Sequence, residues 1–155
     1  MSPGIRPSGR ATSYQKGAGT RLSMSDRHFA LEEARALVPW LQQTFDAIEP
    51  LRTELASAKD RVRSLMTRVQ SNGGSRAEQE IEEATRVLHE AQERIDEHAY
   101  AITERGIVLR SVEQGLVDFP SIRDGREVHL CWLAGESDIA HWHEVDTGFA
   151  GRQPL

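Results

Sequence analysis

The chain has 155 residues, 28% of them charged, a formal net charge of −5 and a single cysteine. That length supports one folded unit with its own core but not two of ordinary size, and a lone cysteine excludes the intrachain disulfides of a small secreted scaffold. The acidic balance opposes binding to nucleic acid or anionic lipid, and no run approaches the roughly 18 consecutive apolar residues of a membrane span or the apolar core of a signal peptide, so a cytoplasmic protein is expected.

Residues 1–23 hold Arg6, Arg10, Lys16 and Arg21 with no acidic residue, among Gly, Ser, Pro and Thr that offer little to bury. A disordered basic extension is predicted there. Without its four charges the remainder carries −9, four below the chain's −5. Met24-Ser25-Asp26 would make a natural start, and Tyr14 is too little aromatic surface to turn the tail into a nucleic-acid arm. The folded domain is expected over 24–155.

A helix should begin near Leu31, where Glu32 and Glu33 suit the positive end of the helix dipole. Ile48, Leu51, Leu55, Ala58, Val62, Leu65 and Val69 then recur in steps of three and four, as in a coiled-coil seam. Pro39 and Pro50 interrupt the pattern and predict a bend or restart. Ser71-Asn72-Gly73-Gly74 breaks the helix, and Ser75 with Glu78 has the spacing of a capping box for a second one. That helix carries Ala77, Ile81, Ala84, Leu88, Ala91, Ile95, His98 and Ile102 in the same rhythm and should end at Gly106. A long antiparallel two-helix hairpin over 31–105 follows. A lone histidine in such a seam, His98, is expected to be a core or register-setting residue.

After Gly106 the pattern changes to short β-prone runs over 107–155. Ile107 to Leu109 and Leu116 to Phe119 should pair as a hairpin across Glu113-Gln114-Gly115, with Pro120 stopping the second run. Asp124-Gly125 marks a turn. Arg126 to Leu133 alternates in a period of two, and a loop over 134–138 leads to Ile139 through Glu144, which alternates likewise. The fold class is therefore α+β: a coiled-coil-like hairpin followed by a small antiparallel sheet of about four strands.

The last hairpin is the chemically dense part. With Leu133 opposite Ile139, Cys131 faces His141 and His129 faces His143, all on one surface. A soft sulfur among imidazoles is a ligand set for zinc or iron, which Glu144, Asp146 or Asp118 would complete or orient. The competing reading is a sheet face with a buried cysteine and hydrogen-bonded histidines; a one-residue slip of register would disperse the cluster. In the closing segment, Phe149 is expected to be buried and Arg152 to pair with Glu136, Glu144 or Asp118, or else to clamp an anion beside the histidines.

Phe29-Ala30-Leu31-Glu32-Glu33-Ala34, Gly115-Leu116-Val117-Asp118-Phe119-Pro120, Leu130-Cys131-Trp132 with Gly135-Glu136, Trp142-His143-Glu144 and Gly148 through Leu155 together resemble a bacterial family catalogued as domain of unknown function 2203. The likeness spans about Asp26 to Leu155. It implies that Cys131, Trp132, Glu136, Trp142, His143, Gly148, Phe149, Gly151 and Arg152 belong to the family pattern, and it makes Cys131, His143 and nearby carboxylates the firmer ligand group. It implies no established activity.

Two functions follow as expectations. In one, a Cys/His/carboxylate site holds a divalent transition metal, structural or open to water for a hydrolytic step, with Glu144 or Asp118 as ligand or base. In the other, the hairpin pairs with a second copy or a helical partner through exposed Leu37, Trp40, Leu41 and Met66. Metal-free thiol chemistry is disfavoured by the position of Cys131 at the centre of a strand between large apolar residues.

Overall fold

The computed structural model describes residues 27–72 and 74–155; the basic N-terminal extension lies outside them. Helix α1 covers Leu31–Asn72 and α2 covers Ser75–Glu104. At the start of α1, the Glu33 carboxylate reaches back to accept the Ala30 N–H at 2.8 Å, closing the first turn. The predicted restart does not occur: α1 runs through Pro39 and Pro50 as one helix. Both prolines are exposed, so water can take over the carbonyls that their missing N–H groups would have bonded. The capping box also fails, because the N-cap falls at Gly74 and places Ser75 one position too late; the Gly74 carbonyl instead accepts the Ala77 N–H at 3.1 Å.

The two helices pack along the expected seam, with Ala58, Leu65, Ala84 and Ala91 buried and His98 half-buried. Near the open end of the hairpin the seam merges with a larger core in which Leu41, Phe45, Ile48, Ile95 and Ile102 meet the sheet. Leu41 is fully buried, and Leu37 and Trp40 pack on the same core, so three of the four residues expected to form an exposed interface are spent internally. Met66 alone of that set stays exposed. No helix among the described residues is long and apolar enough to cross a membrane.

Five strands follow: β1 Val108–Ser111, β2 Leu116–Arg123, β3 Arg126–Leu133, β4 His141–Glu144 and β5 Gln153–Pro154. They form one antiparallel sheet in chain order, one strand more than expected because the C-terminal segment folds back along β4. Pro120 does not stop β2. Its carbonyl accepts the Phe29 N–H at 2.7 Å on the edge that β1 leaves open, so the missing donor of Pro120 points away from β3 and no ladder bond is lost. Asp124 and Gly125 both have positive φ, 51° and 77°, which defines the tight β2–β3 hairpin turn.

Val117, Phe119, Val128, Leu130, Trp132 and Trp142 face the helices and are buried. Phe119 meets Phe29 edge-on at 5.2 Å, and Trp132 lies 6.1 Å from Phe45. Each such side chain contributes about 1.5–3 kcal/mol by leaving water. This packing fixes the register, and the register decides what the opposite face presents.

Candidate metal centre

The opposite face presents polar side chains on three adjacent strands. Asp118 on β2 pairs with Cys131 on β3, Cys131 pairs with His141 on β4, and His129 pairs with His143. The β3–β4 pairing is the one expected from the alternation. Asp118, Cys131 and His143 are all buried, and one ligand atom from each lies within 4.8 Å of the others.

His143 is the best-oriented member. Its Nδ1 donates to the Glu144 carbonyl at 2.7 Å, and its Nε2 faces Asp118 Oδ1 at 3.0 Å. Both partners are acceptors, so the Nε2 side holds either a second proton or a cation shared with the carboxylate. A ring nitrogen tied to a backbone carbonyl is the usual support of a histidine that ligates through its other nitrogen.

Asp118 gathers the remaining contacts. Arg110 Nε donates to its Oδ2 at 2.7 Å, and His129 Nδ1 lies 3.5 Å from the same oxygen and 3.2 Å from Arg110 Nη2. Burial by itself raises this carboxyl, but the contacts with His129, Arg110 and His143 outweigh it and hold the group well below the usual carboxylate range. Cys131 goes the other way. Burial first, and then the Asp118 charge, push its thiol up to about 12, with Arg152 opposing part of the rise. Without a metal the sulfur is a protonated, inert thiol.

The other expected residues take separate places. His129 packs at right angles to His143, with ring centroids 5.4 Å apart, beside the three-residue group. His141 is half-buried, and its Nδ1 is buried with no hydrogen bond among the described residues. Glu144 sends its carboxylate to Arg126 at 2.8 Å on the helix-facing side of the sheet, so only its carbonyl serves His143. Arg152 Nη2 donates to both Glu136 oxygens at 2.8 Å, and Glu136 Oε2 also accepts the Leu133 N–H. Phe149 is 49% exposed instead of buried, with the Arg152 guanidinium 4.9 Å over its ring. Sequence reasoning missed Arg110. It sits where the β1–β2 register shifts between Leu109 and Ser111, and such a bulge re-aims a side chain. Its alternation signal is therefore lost.

A helical hairpin carrying a five-stranded antiparallel meander, with a buried Asp/Cys/His group on the face turned from the helices, defines the class of protein by architecture alone. The chain belongs to the family described as uncharacterized conserved protein DUF2203, whose model matches residues 27–155. No curated protein and no solved structure matches it.

Proposed function

We propose that the protein binds one divalent transition metal, zinc first and iron second, through Asp118, Cys131 and His143. The observation that carries this reading is the aim of His143. Its Nδ1 proton is held by the Glu144 carbonyl while Nε2 faces a carboxylate within a buried group that also contains sulfur. Mixed sulfur, nitrogen and oxygen donors suit zinc, and three protein ligands would leave a fourth position for water, which a metal held there would activate for hydrolysis. Arg110 and His129 then act as supports that orient Asp118. Loading the site displaces the Cys131 proton, so binding strengthens with pH. A thiolate site of this kind fits the reducing cytoplasm.

Elemental analysis of protein purified without a histidine tag or chelator tests this. About one metal per chain is expected, lost in both Cys131→Ala and His143→Ala. Equal metal content in wild type and both variants, or none after reconstitution with zinc and iron, would refute it.

A second reading, pairing of two copies through the outer hairpin, is favoured by the division of charge. Residues 59–70 of α1 carry four basic side chains against one acidic, and residues 76–90 of α2 carry five acidic against two basic. A two-fold arrangement would set α1 of one copy on α2 of the other and cover the half-buried Val62, Val69, Ile81 and Leu88. Sedimentation at high concentration should then show a dimer that weakens with salt; a monomer throughout would exclude it.

A further inference from the structure

A cavity of about 330 Å³ adjoins the Asp118 centre between the sheet and the segment after β4. Arg110, Leu116, Asp118, Val145 and Phe149 form most of its lining. Its chemistry is divided. Arg110 spends Nε on Asp118 and Nη2 on His129, while Nη1 makes no hydrogen bond among the described residues and the side chain is 42% exposed. Asp118 is paired with Arg110 and only 2% exposed, so the charged group that the cavity can reach at its inner end is the guanidinium edge. Asp146 also lines the cavity and is exposed, so its carboxylate opposes an anion there and the grip falls to Arg110 alone.

The outer part is apolar. Val145 and Phe149, 48% and 49% exposed, are two of the few large hydrophobic side chains that the described residues leave in water, and both belong to this one cavity. Exposed apolar groups gathered beside a guanidinium are the layout of a small-ligand pocket, in which a few polar groups orient and apolar walls bind. The bulge in β1 that turns Arg110 inward is the kind of local irregularity found beside functional sites.

We propose that this cavity takes a small anion, a carboxylate or a phosphate, carried on an apolar or aromatic body, with Arg110 gripping the anionic group and Val145 and Phe149 covering the body. This deepens the metal reading and rests on it only in placing the bound anion beside Asp118, the ligand that the centre and the cavity share. A guanidinium with a free donor suits either anion, and the aromatic ring of Phe149 suits a planar body by offset stacking.

The probes are phenyl phosphate, benzoate and inorganic phosphate, titrated by calorimetry into the full zinc-reconstituted chain, with metal content measured on the same samples. At least one aromatic anion should bind, and inorganic phosphate more weakly. Arg110→Gln should weaken the aromatic anions by about tenfold, the loss of one charged hydrogen bond. Phe149→Ser should weaken the aromatic probes and leave inorganic phosphate unchanged. Because Arg110→Gln also loosens Asp118, its fold is checked by circular dichroism, and Phe149→Ser carries the test if that variant does not fold. Failure of both aromatic anions to bind, or wild-type affinity in the folded variants, would overturn the proposal. Metal retained without anion binding would refute this inference alone; anion binding without metal would refute the metal reading alone.

Discussion

At the scale of single residues, Asp118 concentrates the chemistry of the polar face. It is buried, with Arg110, His129 and His143 all directed at it. Removing it by Asp118→Ala strands buried donors, so a loss of about 3–5 kcal/mol in urea denaturation is expected. Its carboxyl is held below the ordinary value of about 3.9. On acidification the unfolded chain therefore takes up the proton first. The stabilisation is complete above about pH 4 and drains away as acid approaches the lower folded value. Asp118→Asn should lack this acid-dependent loss when its melting temperature is followed against pH. Cys131 gives an opposite test, since a thiol raised to about 12 should resist alkylation in the folded, metal-free chain at pH 8 and react once urea unfolds it. Part of this site was legible from alternation alone, because the pairing of His129 with His143 and Cys131 with His141 follows from a period of two. What alternation could not supply was depth. It grouped His141 with the candidate ligands without showing that the ring is only half-buried, and it had no means to find Arg110, whose bulge breaks the period on which the reading relied.

At the scale of elements, the turns and edges decide the outcome. Gly115 and Gly125 both have positive φ, 67° and 77°, but their surroundings differ. A Cβ at Gly125 meets nothing within 4 Å, whereas one at Gly115 would collide with the Ala134 side chain. Gly125→Ala should therefore cost only the left-handed backbone, about 1–2 kcal/mol, and Gly115→Ala distinctly more in the same melting series. Equal losses would show that the contact with Ala134 relaxes freely. The same reasoning explains which elements the sequence hid. Pro120 reads as a strand breaker, yet it lies in β2 because its missing donor faces the edge taken by Phe29. β5 is only Gln153–Pro154, too short for any periodicity, and it exists because the chain lies against β4, where the Leu155 N–H donates to the Ala140 carbonyl at 3.0 Å. Ser75 and Glu78 have the right spacing for a cap, but a cap also needs the right starting residue, and Gly74 takes that place.

At the scale of the whole molecule, every neighbour in the sheet is also the next strand in the chain, and the two helices before it are joined end to end. Most pairing is thus between segments close in sequence, an arrangement associated with rapid folding. Among the long-range exceptions, alongside the packing of α1 on the sheet, is the stretch before α1. Phe29 bonds to Pro120 through its N–H, its carbonyl accepts the Ser121 hydroxyl at 2.7 Å across 92 positions, and its ring packs on Phe119. Closing so long a loop is entropically costly, and its contacts reward the chain only after the sheet exists. The Phe29 strap is therefore expected to dock late. Phe29→Ala should speed unfolding severalfold in stopped-flow chevrons while leaving the refolding rate nearly unchanged. A slowed refolding arm would instead make this contact part of the nucleus. A strap that docks last is also released first, so it would act as a latch whose strength sets how long the native state survives between openings.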